Sequence, residues 1–263
     1  MALLSQDQVD FYKREGYLIG LPKVFDEEQM KSLNEGLQSL VGQLDADEKL
    51  LDIREWHLSS RWLYDLCTTP LILDYVESLL GPNFYLWGSQ FFAKEPRSKS
   101  RVGWHQDSYY WPLSPHHSVT VWLAFTDVDV ANGAMYVIPG SHRAGLIKHI
   151  TTEEEFLNLE LELGSFREQD KVALEMKAGQ LSLHDDAMVH GSPANNSDRW
   201  RIGLTIRYSA TDVKCDLSKA PLFKTMLVRG EDTFNHNPVA PIPAEPYARL
   251  PKDQYLHMER VIK

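Results

Sequence analysis

The chain has 263 residues, 43% of them hydrophobic, enough for one substantial core and better suited to a single domain with peripheral helices than to two small ones. Its 37 acidic against 27 basic residues leave a formal net charge of -10, which works against a sequence-independent hold on nucleic acid or an anionic membrane and favours a small-molecule partner. Two cysteines, Cys67 and Cys215, are too few for a disulfide framework. No apolar run approaches the ~18 residues that span a bilayer, and the N-terminus lacks a basic stretch leading into an apolar one, so a soluble cytoplasmic protein is expected.

The first 82 residues read as helical. Ser5, with Gln8 three positions later, predicts a capping box opening a helix that runs to about Glu15, before Gly16. A second helix starts at Asp26, and its apolar positions Met30, Leu33, Leu37, Leu40 and Val41 recur at helical spacing, so that face lies against something larger. A third is punctuated by Thr69 as cap, Pro70 at the first helical position and Gly81 just past the end.

From Phe84 onward the pattern changes to short β-rich runs separated by Pro, Gly, Asn and Asp, which indicates an antiparallel β core rather than βαβ units. The predicted strands are Phe84 to Ala93, Ser118 to Thr126, Ala134 to Ile138, Val172 to Met176, Gln180 to His184 and Arg201 to Tyr208. In the second, Thr120, Trp122 and Ala124 share one face while Val119, Val121, Leu123 and Phe125 share the other, a wall between two environments. The class is mainly β, a sandwich or jelly roll buttressed by N-terminal helices and open at one mouth. The β core covers about 83–210 of a single 1–263 domain. Within the loop-rich tail 211–263, the Pro-rich stretch from Lys219 to Pro251 wraps the surface or covers the mouth before a last short helix.

The segment Trp104-His105-Gln106-Asp107 puts an imidazole and a carboxylate two positions apart, on the same side of an extended strand. With a second histidine from a distant strand, the set fills one face of an octahedron and leaves positions for a chelating cosubstrate and oxygen. An H-x-D pair by itself is weak evidence, because polar pairs of this kind are more often satisfied surface or turn residues than ligands. The chain holds a second one, His184-Asp185-Asp186, which periodicity does not rank below the first, and His190 is one of ten histidines. Further along, Arg201 follows His190 by eleven residues and opens a β-run. Its planar fork matches the distal carboxylate of a dicarboxylate. The other reading is a surface arginine closing a loop.

The stretches Gln8-Val9-Asp10-Phe11 through Gly16-Tyr17-Leu18, Trp104-His105-Gln106-Asp107, Asn132-Gly133-Ala134-Met135 through Val137-Ile138-Pro139-Gly140-Ser141-His142, and His190-Gly191-Ser192 through Arg201 together resemble the phytanoyl-CoA dioxygenase family of Fe(II)/2-oxoglutarate oxygenases, over most of the chain. The resemblance implies a double-stranded β-helix, cupin-like jelly roll. It implies Fe(II) on His105, Asp107 and His190, 2-oxoglutarate held by Arg201, and oxygen as second cosubstrate. It also suggests Ser192 and Trp122 beside the cosubstrate, although a packed wall residue is the commoner fate of an aromatic on a strand. Gln90, on the strand before the metal segment, is a further polar candidate for that pocket, with a buried structural amide as the alternative. His184 and Asp186 take a supporting role, since a triad of His184, Asp186 and His190 would come from one short segment. Val137 to His142 shapes the scaffold.

The implied reaction is oxidation, most directly hydroxylation, with succinate and carbon dioxide released. Asp107 as a ligand disfavours halogenation, because related halogenases carry a small residue there. Desaturation and cyclisation use the same cofactors. Tyr109, Tyr110 and Trp111, with Trp104, form either an aromatic wall worth roughly 0.5 to 2 kcal/mol to a cationic amine or ordinary packing of the core or lid. Lys94, Arg97, Arg101 and Arg207 are candidates to pair an anionic group on the substrate, and Arg207 lies about 20 Å along the strand from Arg201, too far to share one small molecule with it. The expected substrate is a small polar or zwitterionic metabolite, an amino acid or aminophosphonate-like compound. Two competing classes remain: a non-catalytic metal-binding jelly roll, for which Arg201 is dispensable, and a structural interaction module, in which His105 and His190 affect stability alone.

Overall fold

The computed structural model of the chain describes residues 3–152, 157–162 and 164–256. Four helices occupy the N-terminal part: α1 (Gln6–Glu15), α2 (Glu27–Val41), α3 (Arg61–Cys67) and α4 (Pro70–Leu80). The capping boxes of α1 and α2 form as expected, Ser5 with Gln8 and Asp26 with Gln29, each satisfying two amides left open by a helix start. Helix α3 has no counterpart in the sequence reading; it is only seven residues long, and its cap Ser60 accepts from the Leu63 amide. Thr69 precedes Pro70 as expected, but its hydroxyl turns back to the Leu66 carbonyl and caps nothing.

Six antiparallel strands form the larger sheet, in the spatial order β1 (Tyr17–Leu18), β10 (Leu181–Asp185), β5 (Ser118–Ala124), β12 (Arg201–Ala210), β2 (Phe84–Lys94) and β14 (Met226–Arg229). Four form the smaller sheet, β3 (Val102–His105), β11 (His190–Ser192), β6 (Tyr136–Val137) and β9 (Val172–Ala173). Two short pairs complete the set, β4 (Leu113–Ser114) with β13 (Lys214–Cys215) and β7 (His149–Thr151) with β8 (Leu159–Leu161). This is the mainly β, cupin-like jelly roll expected. Strands β6 and β9 are shorter than the runs predicted at 134–138 and 172–176, because regular pairing there covers two residues of each. After Pro251 the chain makes a single 3-10 turn, Lys252–Gln254; any later part of the expected last helix, from residue 257, lies outside the described residues.

Strand parity assigns the two faces of the larger sheet. Val121, Leu123, Leu181, Leu183, Leu204 and Ile206, all fully buried, join Leu37 and Leu40 of α2 and Ile72 and Val76 of α4 in the main core. Burying each such side chain contributes roughly 1.5–3 kcal/mol. The alternate residues, Trp122 of β5, His184 of β10, and Arg201, Thr205 and Arg207 of β12, line a cavity of about 1000 Å³ between the sheets, and Thr120 of β5 shares that face, fully buried against Asp107. On β2 a bulge opposite Arg207–Tyr208 shifts the parity. Beyond it Gln90 and Phe92 line the cavity, whereas before it Leu86 enters the main core and Trp87 lies beside Arg207.

Candidate metal and cosubstrate site

His105 at the end of β3 and His190 at the start of β11 are direct cross-strand partners, their ring centroids 4.0 Å apart. Asp107 follows in a 3-10 turn that brings its carboxylate close to both rings. Nitrogen and oxygen donors of these three buried residues all lie within 4.8 Å of one another, the arrangement needed to hold one ion. Asp107 Oδ1 is 3.6 Å from His105 Nε2 and 3.9 Å from His190 Nε2. Its other oxygen, Oδ2, accepts from Thr120 Oγ1 at 3.2 Å.

The tautomers follow from the neighbours. His105 Nδ1 is 2.8 Å from the Gly103 carbonyl and His190 Nδ1 is 2.9 Å from the Met188 carbonyl. A carbonyl can only accept, so each Nδ1 carries the proton and each Nε2 presents a lone pair to the common point. Burial, with His105 adjacent, holds His190 well below the usual histidine range and so keeps it neutral. Burial works to raise the Asp107 carboxyl, but contacts with His105 and His184 overcome it and hold the group ionised. Two neutral imidazoles and one carboxylate suit a divalent iron that keeps open positions.

His184 lies closer to the centre than a mere support of His190 requires. It is 1% exposed, Nε2 is 3.8 Å from Asp107 Oδ2, and neither ring nitrogen has a hydrogen-bond partner among the described residues. Asp186 does not share that place. Its carboxylate approaches His116 at 3.9 Å and is pushed up to about 8 by burial and by Asp185. His149 is not available as a ligand: Nδ1 meets the Ile147 carbonyl and Nε2 accepts from the Gln106 amide. The Val137–His142 segment shapes the scaffold as expected, with Ser141 Oγ accepting from the Val189 amide next to His190.

Arg201 opens β12 and reaches the same cavity. It is 3% exposed, its guanidinium carbon lies 5.4 Å from the Trp122 ring, and Nη2 donates to Ser192 Oγ at 3.3 Å. Burial lowers it only to about 10, so it stays charged, yet its buried Nε has no hydrogen-bond partner among the described residues. A second basic side chain stands behind it. Lys94, paired with Arg201 across the strands, donates to Ser192 Oγ at 2.8 Å and also contacts the Ser192 and Pro193 carbonyls. Burial, with Arg201 alongside, pushes Lys94 down to about 6. Gly203 is required between Arg201 and Thr205, because a Cβ there would meet the Trp122 ring at 2.0 Å.

Several of the other predicted positions are corrected. Trp104 alternates with His105 along β3 and therefore packs on Phe166 at 5.2 Å, outside the main cavity. Tyr109 stacks on His149 at 3.9 Å; the 3-10 turn breaks strand parity and leaves only Tyr110 and Trp111 on the cavity wall. Arg97 sits on an exposed loop and grips Asp198 at 2.7 and 2.9 Å, with no part in the cavity. Gln90 does line the cavity, but its amide donates to the Leu51 carbonyl, in keeping with the structural alternative. Arg54 and Glu55 also line the cavity and were not singled out in the sequence. They lie between two 3-10 turns, and a β-bridge from Arg54 to Gln90 sets them against the sheet, a long-range contact without a local signal.

Comparison with known proteins agrees with this geometry. A profile of the family described as phytanoyl-CoA dioxygenase matches residues 12–203. The peroxisomal phytanoyl-CoA dioxygenase of Bos taurus is 27% identical over 239 residues, covering 81% of this chain and 70% of that protein. Among solved structures, the non-heme monooxygenase ThoJ in its apo form superposes with a TM-score of 0.79 at 28% identity, covering 92% of this chain and 90% of its own. CytC3, solved with Fe(II) and α-ketoglutarate (2-oxoglutarate), shares the fold at a TM-score of 0.68 and 22% identity, with coverage of 94% and 99%.

Proposed function

The chain belongs to the phytanoyl-CoA dioxygenase family of Fe(II)- and 2-oxoglutarate-dependent oxygenases, and from that premise we propose that it hydroxylates a small polar or zwitterionic metabolite, an amino acid or aminophosphonate-like compound. The observation that carries this reading is the position of Arg201, buried, charged and with no hydrogen-bond partner for its Nε among the described residues, in the same cavity as His105, Asp107 and His190. A metal binder without oxygen chemistry has no use for a buried guanidinium at that place.

Iron bound there with 2-oxoglutarate and oxygen supplies oxidation of an unactivated C–H bond, releasing succinate and carbon dioxide. The protein's part is positional. His105 Nε2, His190 Nε2 and Asp107 Oδ1 present the ligand set, and Thr120 fixes the turn of the carboxylate. Arg201 would take the distal carboxylate of 2-oxoglutarate, while Ser192 orients the guanidinium and Trp122 covers its face. Tyr110 and Trp111, which also line the cavity, exclude water from the substrate side. The reading includes a single domain acting in the cytoplasm, which the free, buried Cys67 and Cys215 suit. No helix among the described residues is long and apolar enough to cross a membrane.

The test is anaerobic titration of the Fe(II)-loaded protein with 2-oxoglutarate, followed by a metabolite screen for substrate-dependent succinate. A weak visible charge-transfer band on titration, and a product carrying one added oxygen, are expected. Bound iron without a band overturns the oxygenase reading, and a product that has lost hydrogen without gaining oxygen replaces hydroxylation by desaturation or cyclisation.

A further inference from the structure

Three arginines, Arg54, Arg201 and Arg207, have a buried Nε without a hydrogen-bond partner among the described residues, and all three line the cavity that holds His105, Asp107 and His190. The cosubstrate accounts for Arg201. Arg54 and Arg207 remain; both are half-buried, and their Nε atoms, shielded from water and without a hydrogen-bond partner among the described residues, leave donors for an anion.

Arg207 is well separated from Arg201, six residues or about 20 Å along β12. It lies instead directly opposite Thr120, the residue that holds Asp107, and cross-strand Cβ atoms of such a pair are about 4.5–5.5 Å apart. Its guanidinium carbon is 5.9 Å from the Trp87 ring and 5.5 Å from the Trp111 ring; that of Arg54 is 5.0 Å from the Tyr255 ring. Aromatic faces orient a guanidinium while leaving the N–H groups along its edge for an oxyanion. The bond from Gln90 to Leu51 and the Arg54–Gln90 bridge fix the Arg54 segment onto the sheet, which makes Gln90 a positioning residue for it. Glu55 shares this wall and attracts both arginines, but burial raises its carboxyl to about 7 and its Oε2 accepts from the Leu256 amide at 2.7 Å, so it neutralises them only in part.

We propose that Arg54 and Arg207 form a second anion subsite, taking a carboxylate or phosphonate of the substrate on the Thr120 side of the metal centre, apart from the Arg201 anchor. The assignment rests on the oxygenase reading above and narrows it: the substrate is a small acid whose anionic group lies only a few bonds from the carbon attacked.

The experiment uses full-length protein, anaerobic and saturated with Fe(II) and 2-oxoglutarate so that the Arg201 end is filled. Propionate, β-alanine and methylphosphonate are titrated in, with propionamide as the uncharged control, and tryptophan fluorescence reports from Trp87 and Trp111. The acids should give a saturable change and propionamide none. Arg207→Gln and Arg54→Gln should each weaken the acids by at least about tenfold while the charge-transfer band keeps its wild-type dependence on 2-oxoglutarate. Arg207→Lys, which keeps the charge but not the fork, should fall between, and with Arg54→Gln it decides the matter if Arg207→Gln does not fold. Absence of saturable binding to the loaded wild type, or equal binding to the Gln variants, overturns the subsite. Absence of the charge-transfer band before any acid is added is a different failure, that of the oxygenase reading.

Discussion

Thr120 Oγ1 donates to Asp107 Oδ2 at 3.2 Å, and this single bond leaves Oδ1 as the oxygen facing both His105 and His190. The carboxylate is thus set to offer one oxygen to a metal and keep the other for the protein.

Thr120→Val keeps the shape and removes the donor. A hydrogen bond to a charged group contributes about 1.5–3 kcal/mol, so Fe(II) affinity should fall roughly 10- to 100-fold while thermal stability changes little. Metal titration of the apoprotein, read beside its melting curve, checks this; unchanged affinity would show that Thr120 is only packing.

Arg201→Lys should not be conservative. The lysine keeps charge but loses the two parallel donors and the planar face over Trp122, so half-saturation by 2-oxoglutarate should need at least about tenfold more cosubstrate. The charge-transfer titration measures it, and wild-type behaviour would place the cosubstrate's anchor elsewhere.

Gly203→Ala puts a methyl group where the Trp122 ring already lies, 2.0 Å from the new Cβ. The indole must move, at a cost of about 1–3 kcal/mol. Differential scanning calorimetry should show a lowered Tm, and 2-oxoglutarate should bind more weakly because Trp122 and Arg201 shift together.

Glu55 predicts a pH dependence. Burial raises its carboxyl from an ordinary value near 4.5 to about 7, so between these values the folded protein holds a proton that the unfolded chain has released. Stability is therefore lost as pH rises through that window, by on the order of 3 kcal/mol. Glu55→Gln should melt at a higher temperature than wild type at pH 8, with the gap closing towards pH 4.5; a gap independent of pH would contradict the assignment.

Local chemistry was the legible part of this fold. The capping boxes at Ser5 and Asp26 and the two-sided alternation of residues 118–124 need only near neighbours, and the structure contains them. The resemblance to a known family supplied the pairing of His105 and Asp107 with His190, which no spacing could rank against His184 and Asp186. Trp104 was misplaced although its parity against His105 already pointed it outward. Tyr109 was misplaced because a 3-10 turn, unmarked in the sequence, replaces the strand after His105. Trp87 and Arg54 were out of reach of periodicity: a bulge decides where one lies and a distant bridge places the other.

Both imidazoles proposed as ligands are held by main-chain carbonyls two residues upstream, Gly103 for His105 and Met188 for His190. No side chain therefore has to be kept for the rings to hold their tautomers. The surrounding wall can be rebuilt one residue at a time for a different substrate while the imidazoles go on presenting the same two lone pairs, so the centre is insulated from the drift of its own pocket.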